Sequence, residues 1–496
     1  MSLLFGKSAP SGAGPLLRAL LTGLMACALG FSWTPPAHAQ SDSARSATAK
    51  AKAKKQAAKA PPKRNAPSPT ARKTRERQSD ARKTSARQRE RNVGARALGT
   101  AAAGGAAAMA VQRVSAGPAQ AAPRATASAP PEARLLEIYR HIGRGESRPA
   151  LDKAEALVRD VPHFQLAQLV YGDLLLAQTQ ALPSMGHAPS DLAAKAPARL
   201  TQLKEEAGRR LAALRERPPA GTVPTQFIEL PAATRHAIAV DASRSRLYLF
   251  ENGPKGLQLV ADHYASIGKL GSDKRVEGDQ RTPLGVYFIT SRLDASQLAD
   301  FYGVGALTLN YPNELDRRLG RTGSGIWLHG VPSDSYARSP QSTDGCVVLA
   351  NPELQAIIDR VQPRTTPVVI AQSLQWAPPA AREPERKRLN NLLEGWRTAR
   401  ASGDLPRLLS FYSSQFAPGS KDIAQWRQAI ERDMSQTRGK ELQLKDVSIL
   451  GWKDQSDVLV VTFGEVAEGQ RTGTVKRQYW TKEGGLWKIF YEGVIG

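Results

Sequence analysis

The chain has 496 residues, 41% of them hydrophobic, which suits two or three domains better than one. Its formal charge of +24 is unevenly spread: from Gln40 to Pro130 there are 20 Lys and Arg against 4 Asp and Glu, so +16 of the excess lies in one segment. The charge therefore describes a tail, and a nucleic-acid binder stays open only if the reading of residues 1–39 given next is wrong.

Residues 1–39 read as a secretory signal peptide. Lys7 and Arg18 precede an apolar run from Ala19 to Trp33, and Ala37-His38-Ala39 supplies a small-residue cleavage site before Gln40. The reading places the mature protein outside the cytoplasm, in the periplasm or cell envelope. Leu24-Met25-Ala26-Cys27 is similar to a lipoprotein cleavage box, but the run stays apolar through Ala28 to Trp33 where a lipoprotein would turn polar. Cleavage after Ala39 removes Cys27 and leaves Cys346 as the one cysteine, so no intramolecular disulfide can form. No other stretch reaches the ~20 apolar residues of a membrane span.

From 40 to 131 the chain is mostly Ala, Lys, Arg, Ser and Pro, too poor in apolar side chains to order itself. Two readings stand side by side: a tether drawn to anionic cell wall or lipid surface, or a solvated linker. No specific nucleic-acid partner is expected. From 132 to 217 the period is helical, with Leu135, Leu136, Ile138 and Tyr139, then Ala150, Leu151, Ala154 and Leu157, then Leu166, Leu169 and Val170. The spacing is loosely similar to tetratricopeptide repeats. A helix is expected over 191–217, with Lys204, Glu205 and Glu206 on a solvated face.

From Thr234 the period switches to two. Ile238 and Val240 lead through a turn at Asp241–Arg244 to Leu247–Phe250 as a hairpin, and short strands follow at 259–265, 285–290, 307–309, 326–329, 346–349 and 367–371, with a helix from Pro352 to Val361. This predicts a mainly β sandwich or barrel over 234–372. The loop-rich stretch 300–322, with Tyr302, Asn310, Tyr311, Arg317 and Arg318, could line a groove. From 385 to 496, helices over 386–402, 405–416 and 423–434 precede strands at 442–452, 457–463, 473–480 and 486–491, which predicts an α+β cone whose aromatics are core.

The chemistry concentrates between Gly325 and Asn351. His329 closes the apolar run Ile326-Trp327-Leu328, and Cys346 follows Gly345 and opens Val347-Val348-Leu349. A free thiol near pKa 8.5 is only roughly three per cent ionised at pH 7, so a nucleophilic cysteine needs a base, and a histidine is the common one. A glycine before the cysteine lets backbone amides, those of Gly345 and Cys346, converge on a developing oxyanion. The remaining histidines show no metal-ligand spacing, no phosphate loop or serine elbow appears, and neither metal nor cofactor is expected.

His329-Gly330 followed by Ser342-Thr343-Asp344-Gly345-Cys346, with Thr282-Pro283-Leu284-Gly285 upstream, resembles the L,D-transpeptidase (YkuD-type) catalytic domain. The resemblance spans roughly 234–372. It implies that Cys346 is the nucleophile, that His329 is the general base and acid, and that the Gly330 carbonyl orients the imidazole. It also implies a peptidoglycan stem peptide as substrate, with Arg338, Ser342, Thr343 and Asp344 as candidate substrate contacts. The family usually has His where this chain has Asp344, and an Arg where it has Val348. Cross-linking or tethering by acyl transfer, trimming of tetrapeptide to tripeptide, and a wall-binding scaffold without activity all remain open. The C-terminal pattern resembles the SnoaL or nuclear-transport-factor-like fold.

Overall fold

The computed structural model describes residues 129–187, 196–416, 423–437, 440–453 and 457–495, and the signal peptide and nearly all of the basic linker lie outside them. Among the described residues four helices come first: Pro131–Gly143, Ser147–Asp160, Gln165–Leu176 and Pro197–Arg215. Two of them begin with a proline, where its missing N–H costs nothing. Their apolar stripes meet in a core where Leu135, Ile138, Ala150, Ala154 and Leu157 are fully buried.

That core does not close on itself. Tyr336 and Ala350, from the β region, complete it, and the Tyr336 ring lies 4.1 Å from that of Phe164. A buried ionic cluster seals the same junction. Glu132 accepts from Arg210 and, at 3.1 Å, from Arg246; Arg210 also donates to Glu206 at 2.8 Å, and Arg246 to Asp262 at 2.6 Å. The expectation for Glu206 is thus corrected: Lys204 and Glu205 face solvent, but Glu206 is buried, because its partner Arg210 sits one turn further along the inward face.

The β region is built on one mixed, curled sheet of eight strands, beside which Gln341–Thr343 pairs in parallel with Ile267–Gly268. Its order runs Val347–Val348, Trp327–His329, Gly305–Leu309, Gly285–Asp294, Pro367–Ala371, His236–Asp241, Arg246–Gly253, Gly256–Tyr264. Two neighbouring pairs are parallel: Val347–Val348 with Trp327–His329, and Pro367–Ala371 with His236–Asp241. Strands at the centre are buried on both faces, as the uninterrupted apolar runs Ala237–Val240 and Val368–Ile370 require. Asn351–Ile358 forms the helix after the cysteine strand, with Pro352 in its first turn.

The C-terminal α+β domain is a second curled sheet with helices on one face. Strands Leu442–Lys453, Asp457–Ala467, Thr474–Glu483 and Leu486–Val494 form an antiparallel meander, and a fifth strand, Phe227–Glu229, is supplied from before the catalytic domain. Two aromatic clusters line its two faces. Toward the helices, Trp396, Tyr412, Phe416, Trp426, Phe463 and Trp480 fill the cone; toward the catalytic sheet, Leu450, Trp452, Val460, Tyr479 and Phe490 join its core. The helix expected over 405–416 stops at Leu409, because the chain then turns so that Tyr412 can bridge to Ile489.

Candidate active site

Sheet register brings the two reactive side chains together. Val348 pairs with His329 and Val347 with Leu328 in the parallel ladder, so Cys346, one residue before that strand, stands beside Trp327. Side chains two apart share a face, which puts the thiol and the imidazole on the same face of neighbouring strands. His329 is buried, and its Nδ1 lies 2.8 Å from the Gly330 carbonyl oxygen, the contact the resemblance implies. A proton on Nδ1 satisfies that carbonyl and leaves Nε2 as the free basic nitrogen.

Both groups are neutral at rest. Burial lowers the His329 pKa to about 4, helped by the nearby Arg338 charge and opposed by the Gly330 bond. Burial raises the Cys346 thiol, with the Trp327 amide and Arg338 pulling the other way and Asp344 adding to the rise. The thiol is half-buried, 3.5 Å from the Gly325 carbonyl. An imidazole of such low basicity does not hold the thiol proton in advance, so ionisation would have to accompany attack.

The turn before the cysteine is fastened from several sides. Thr282 Oγ1 donates to the Gly345 carbonyl at 2.9 Å and accepts from the Gly268 amide at 2.8 Å, which explains the threonine of Thr282-Pro283-Leu284-Gly285. Thr343 Oγ1 donates to the Cys346 carbonyl at 2.7 Å and accepts the Gly345 amide at 3.1 Å. Two expectations need correction here. The Gly345 amide is committed within the turn and is no free oxyanion donor, which leaves the Cys346 amide as the candidate. Thr343 is buried and works on the turn, not on substrate. Ser342 likewise donates to the Ser339 carbonyl, while Asp344 is exposed and accepts from Gln280 at 3.0 Å.

Gly345 itself is dictated by the backbone. Its φ is +128°, and a Cβ there would stand 2.7 Å from the Arg281 carbonyl oxygen. Gly345→Ala should therefore displace Cys346 and lower turnover by about 100-fold, since misplacement by ~1 Å costs that much. The check is kcat with native-like circular dichroism; a variant within threefold of the parent would show that the turn tolerates the shift.

Arg338 is the candidate substrate contact whose charge acts on both members of the pair. Its guanidinium lies 4.2 Å over the Phe301 ring and makes no ion pair among the described residues, yet its charge is felt by both Cys346 and His329. The backbone at Arg338 is pinned: its carbonyl accepts from Tyr264 and Ser266 at 2.9 Å. The helical region backs the same loop through Tyr336 and through Arg199, 3.0 Å from Ser339.

Of the loop 300–322, Tyr302 reaches the site, its ring 5.0 Å from His329 and from Trp327. Asn310 instead accepts the Phe288 amide, Tyr311 is buried and bonds the Thr322 carbonyl, Arg317 pairs with Glu314, and Arg318 reaches Gln415 and Phe490 in the C-terminal domain. Sequence reasoning missed Phe301, which joins Tyr302 and Arg338 in a wall beside His329. It also missed Asn351, whose amide accepts from Val331 and donates back to it, tying down the loop after Gly330. Two adjacent aromatics in a loop, and an Asn just after a buried strand, were the available signals. Among the described residues no group of three or more His, Cys, Asp and Glu could hold a metal ion, and no helix is long and apolar enough to cross a membrane.

The thiol and the imidazole thus lie on one face of adjoining strands of the curled sheet, at the Gly345-Cys346 turn. Residues 235–370 match the family model of the YkuD L,D-transpeptidase catalytic domain, and residues 388–493 match that of the Cds6 C-terminal NTF2-like domain. The chain thus carries both domains.

Among solved structures, Bd1075 from Bdellovibrio bacteriovorus is 27% identical, with 55% of this chain and 98% of that one covered and a TM-score of 0.48. The helical cell shape determining protein Pgp2 from Campylobacter jejuni is 21% identical over 57% of this chain and 97% of that one, TM-score 0.43. An L,D-transpeptidase from Mycobacterium smegmatis is 14% identical over 28% and 58%, TM-score 0.18. No curated protein matches the chain.

Proposed function

We propose that this protein is an exported peptidoglycan L,D-transpeptidase that works through an acyl-enzyme on Cys346. The observation that carries the reading is the placement of Cys346 and His329 on one face of neighbouring parallel strands, with Nδ1 of the histidine engaged by Gly330 and Nε2 left basic. The match of 235–370 to the YkuD domain supplies the substrate class. Export follows from the signal-peptide reading of residues 1–39, and the basic segment 40–131 would hold the enzyme near an anionic wall or membrane surface.

In the first half-reaction, the stem peptide's terminal carboxylate meets the unpaired Arg338 guanidinium, a fork suited to bidentate binding. The Cys346 sulfur attacks the carbonyl carbon of the third residue as its proton passes to His329 Nε2. The Cys346 amide faces the oxyanion. The tetrahedral adduct collapses with cleavage of the C–N bond, His329 returns the proton to the leaving D-alanine amine, and a thioester remains. In the second half, an acceptor amine attacks the thioester, gives a proton to His329 and expels the sulfur, which takes that proton back.

Hydrolysis of the same thioester is the second reading. The exposed Asp344, close enough to raise the Cys346 thiol, favours it, because a carboxylate there would hold a water for attack. Incubation with disaccharide tetrapeptides and mass spectrometry of the products tests both. Cross-linked dimer supports the transpeptidase, and tripeptide alone supports the carboxypeptidase. No product with either the parent or Cys346→Ala would favour a wall-binding scaffold.

The low basicity of His329 fixes a pH profile. The base is active when neutral, so kcat/KM should hold from neutral pH downward and halve near pH 4, where an ordinary histidine would give a limb near 6.5. Stability moves with the same sign: the unfolded histidine takes up a proton first, so stability is full above about 6.5 and declines as pH falls toward 4. A kinetic limb at 6.5 in the free enzyme would mean that the imidazole is solvated.

A further inference from the structure

Five arginines are buried among the described residues: Arg210, Arg246, Arg321, Arg400 and Arg477. Four of them face carboxylates, Arg210 on Glu132 and Glu206, Arg246 on Glu132 and Asp262, Arg321 on Asp316, and Arg400 on Glu465. Arg477 has none. It is nine-tenths buried, and burial lowers its pKa to about 10. Its Nε donates to Thr462 Oγ1 at 3.0 Å and its guanidinium lies 3.4 Å from the centre of the Phe288 ring, so neither partner neutralises the charge and the two terminal nitrogens stay unpaired. A buried guanidinium without a counter-charge is destabilising, so an anion delivered to the two terminal nitrogens would be held favourably there.

Space for that anion is present on both sides. Arg477 sits on the face of the C-terminal sheet turned toward the catalytic domain, opposite the aromatic-filled cone, and it borders two cavities at the seam of about 400 and about 360 Å3. In the larger, Glu314 and Arg317 neutralise each other. In the smaller, Arg364 and Asp446 offset each other in charge. Either way the lining carries a net single positive charge from Arg477, which suits a monoanion better than a phosphate. The smaller cavity is also walled by Pro231, Phe288 and Val475, so it favours an apolar body attached to the anion.

We propose that Arg477 anchors a second ligand site, at the seam between the catalytic and C-terminal domains, that binds a small monocarboxylate with an apolar body. The site does not depend on the acyl-transfer reading. Two sources carry that chemistry, an aliphatic acid and the carboxyl end of an acylated amino acid, and they can be told apart.

The test is calorimetric titration of the full chain with octanoate, with N-acetyl-D-alanine and, as the neutral control, with octanamide. Octanoate, N-acetyl-D-alanine or both should bind, and which one does identifies the source. Binding should weaken at least ~10-fold in Arg477→Met, as loss of a charge-assisted pair implies. Val475→Trp, which fills the cavity from a half-exposed position, should also abolish binding and decides the matter if Arg477→Met does not fold. Turnover of tetrapeptide should be unchanged in Arg477→Met. Binding of neither acid, equal binding of octanamide, or unchanged affinity in the variants would overturn the site.

Discussion

Cys346→Ala should lower product formation from tetrapeptide stems by on the order of 10³-fold or more, with the fold retained. The size follows from the chemistry, because removing the nucleophile removes the covalent path as a whole, and Cys27 lies in the segment read as a signal peptide. The fold should survive because the sulfur is half-exposed and has only a long contact to the Gly325 carbonyl. The turn is held by Thr282 and Thr343, which the substitution leaves alone. Cys346→Ser separates the readings further. A hydroxyl fits the same space but ionises far less readily, so Ser should be nearly as inactive as Ala if attack by sulfur matters. Residual turnover within tenfold of the parent in either variant would remove Cys346 from the mechanism.

The second large effect concerns the junction of the helical region with the catalytic sheet. Glu132 is the shared acceptor of two buried arginines from different parts of the chain, Arg210 and Arg246. Glu132→Gln keeps the shape but leaves a surplus of buried positive charge. It should destabilise the protein by about 3–5 kcal/mol, the usual cost of removing one partner of a desolvated pair. Urea unfolding followed by the tryptophan signal measures it. A loss under about 1 kcal/mol would mean that water reaches the cluster. The same variant should raise KM more than it lowers kcat, because the helices back the loop that carries Arg338 while the Cys346 turn is fastened elsewhere.

Much of this was legible in the sequence because period and composition are local properties. The helices before 217, the hairpin at 238–250 and the cysteine and histidine strands all announce themselves by spacing. What escaped is what distant residues decide. Glu206 reads as one more helix charge until Arg210 meets Glu132 and Arg246 across the junction. Thr343 reads as a substrate contact until its hydroxyl is found closing its own turn. The strand Phe227–Glu229 lies in an unremarkable linker, and only the edge of the C-terminal sheet, more than 200 residues later in the chain, gives it a partner.

The helices of the C-terminal domain show the same limit in another form. Leu405 to Phe416 has enough apolar periodicity for one helix, but the Tyr412 hydroxyl donates to Glu492 and its ring packs on Phe416 and Trp426, so the backbone leaves the helix early to reach them. Tertiary packing overrides propensity where an aromatic side chain has a buried polar partner to satisfy.

The most direct test of the central claim is intact-protein mass spectrometry after rapid mixing with disaccharide tetrapeptide and acid quenching, which preserves a thioester. The account predicts a mass gain equal to the donor less D-alanine, located on the peptide containing Cys346 and lost in Cys346→Ala. Product accumulating with no adduct at any quench time, or an adduct that persists in Cys346→Ala, would contradict it.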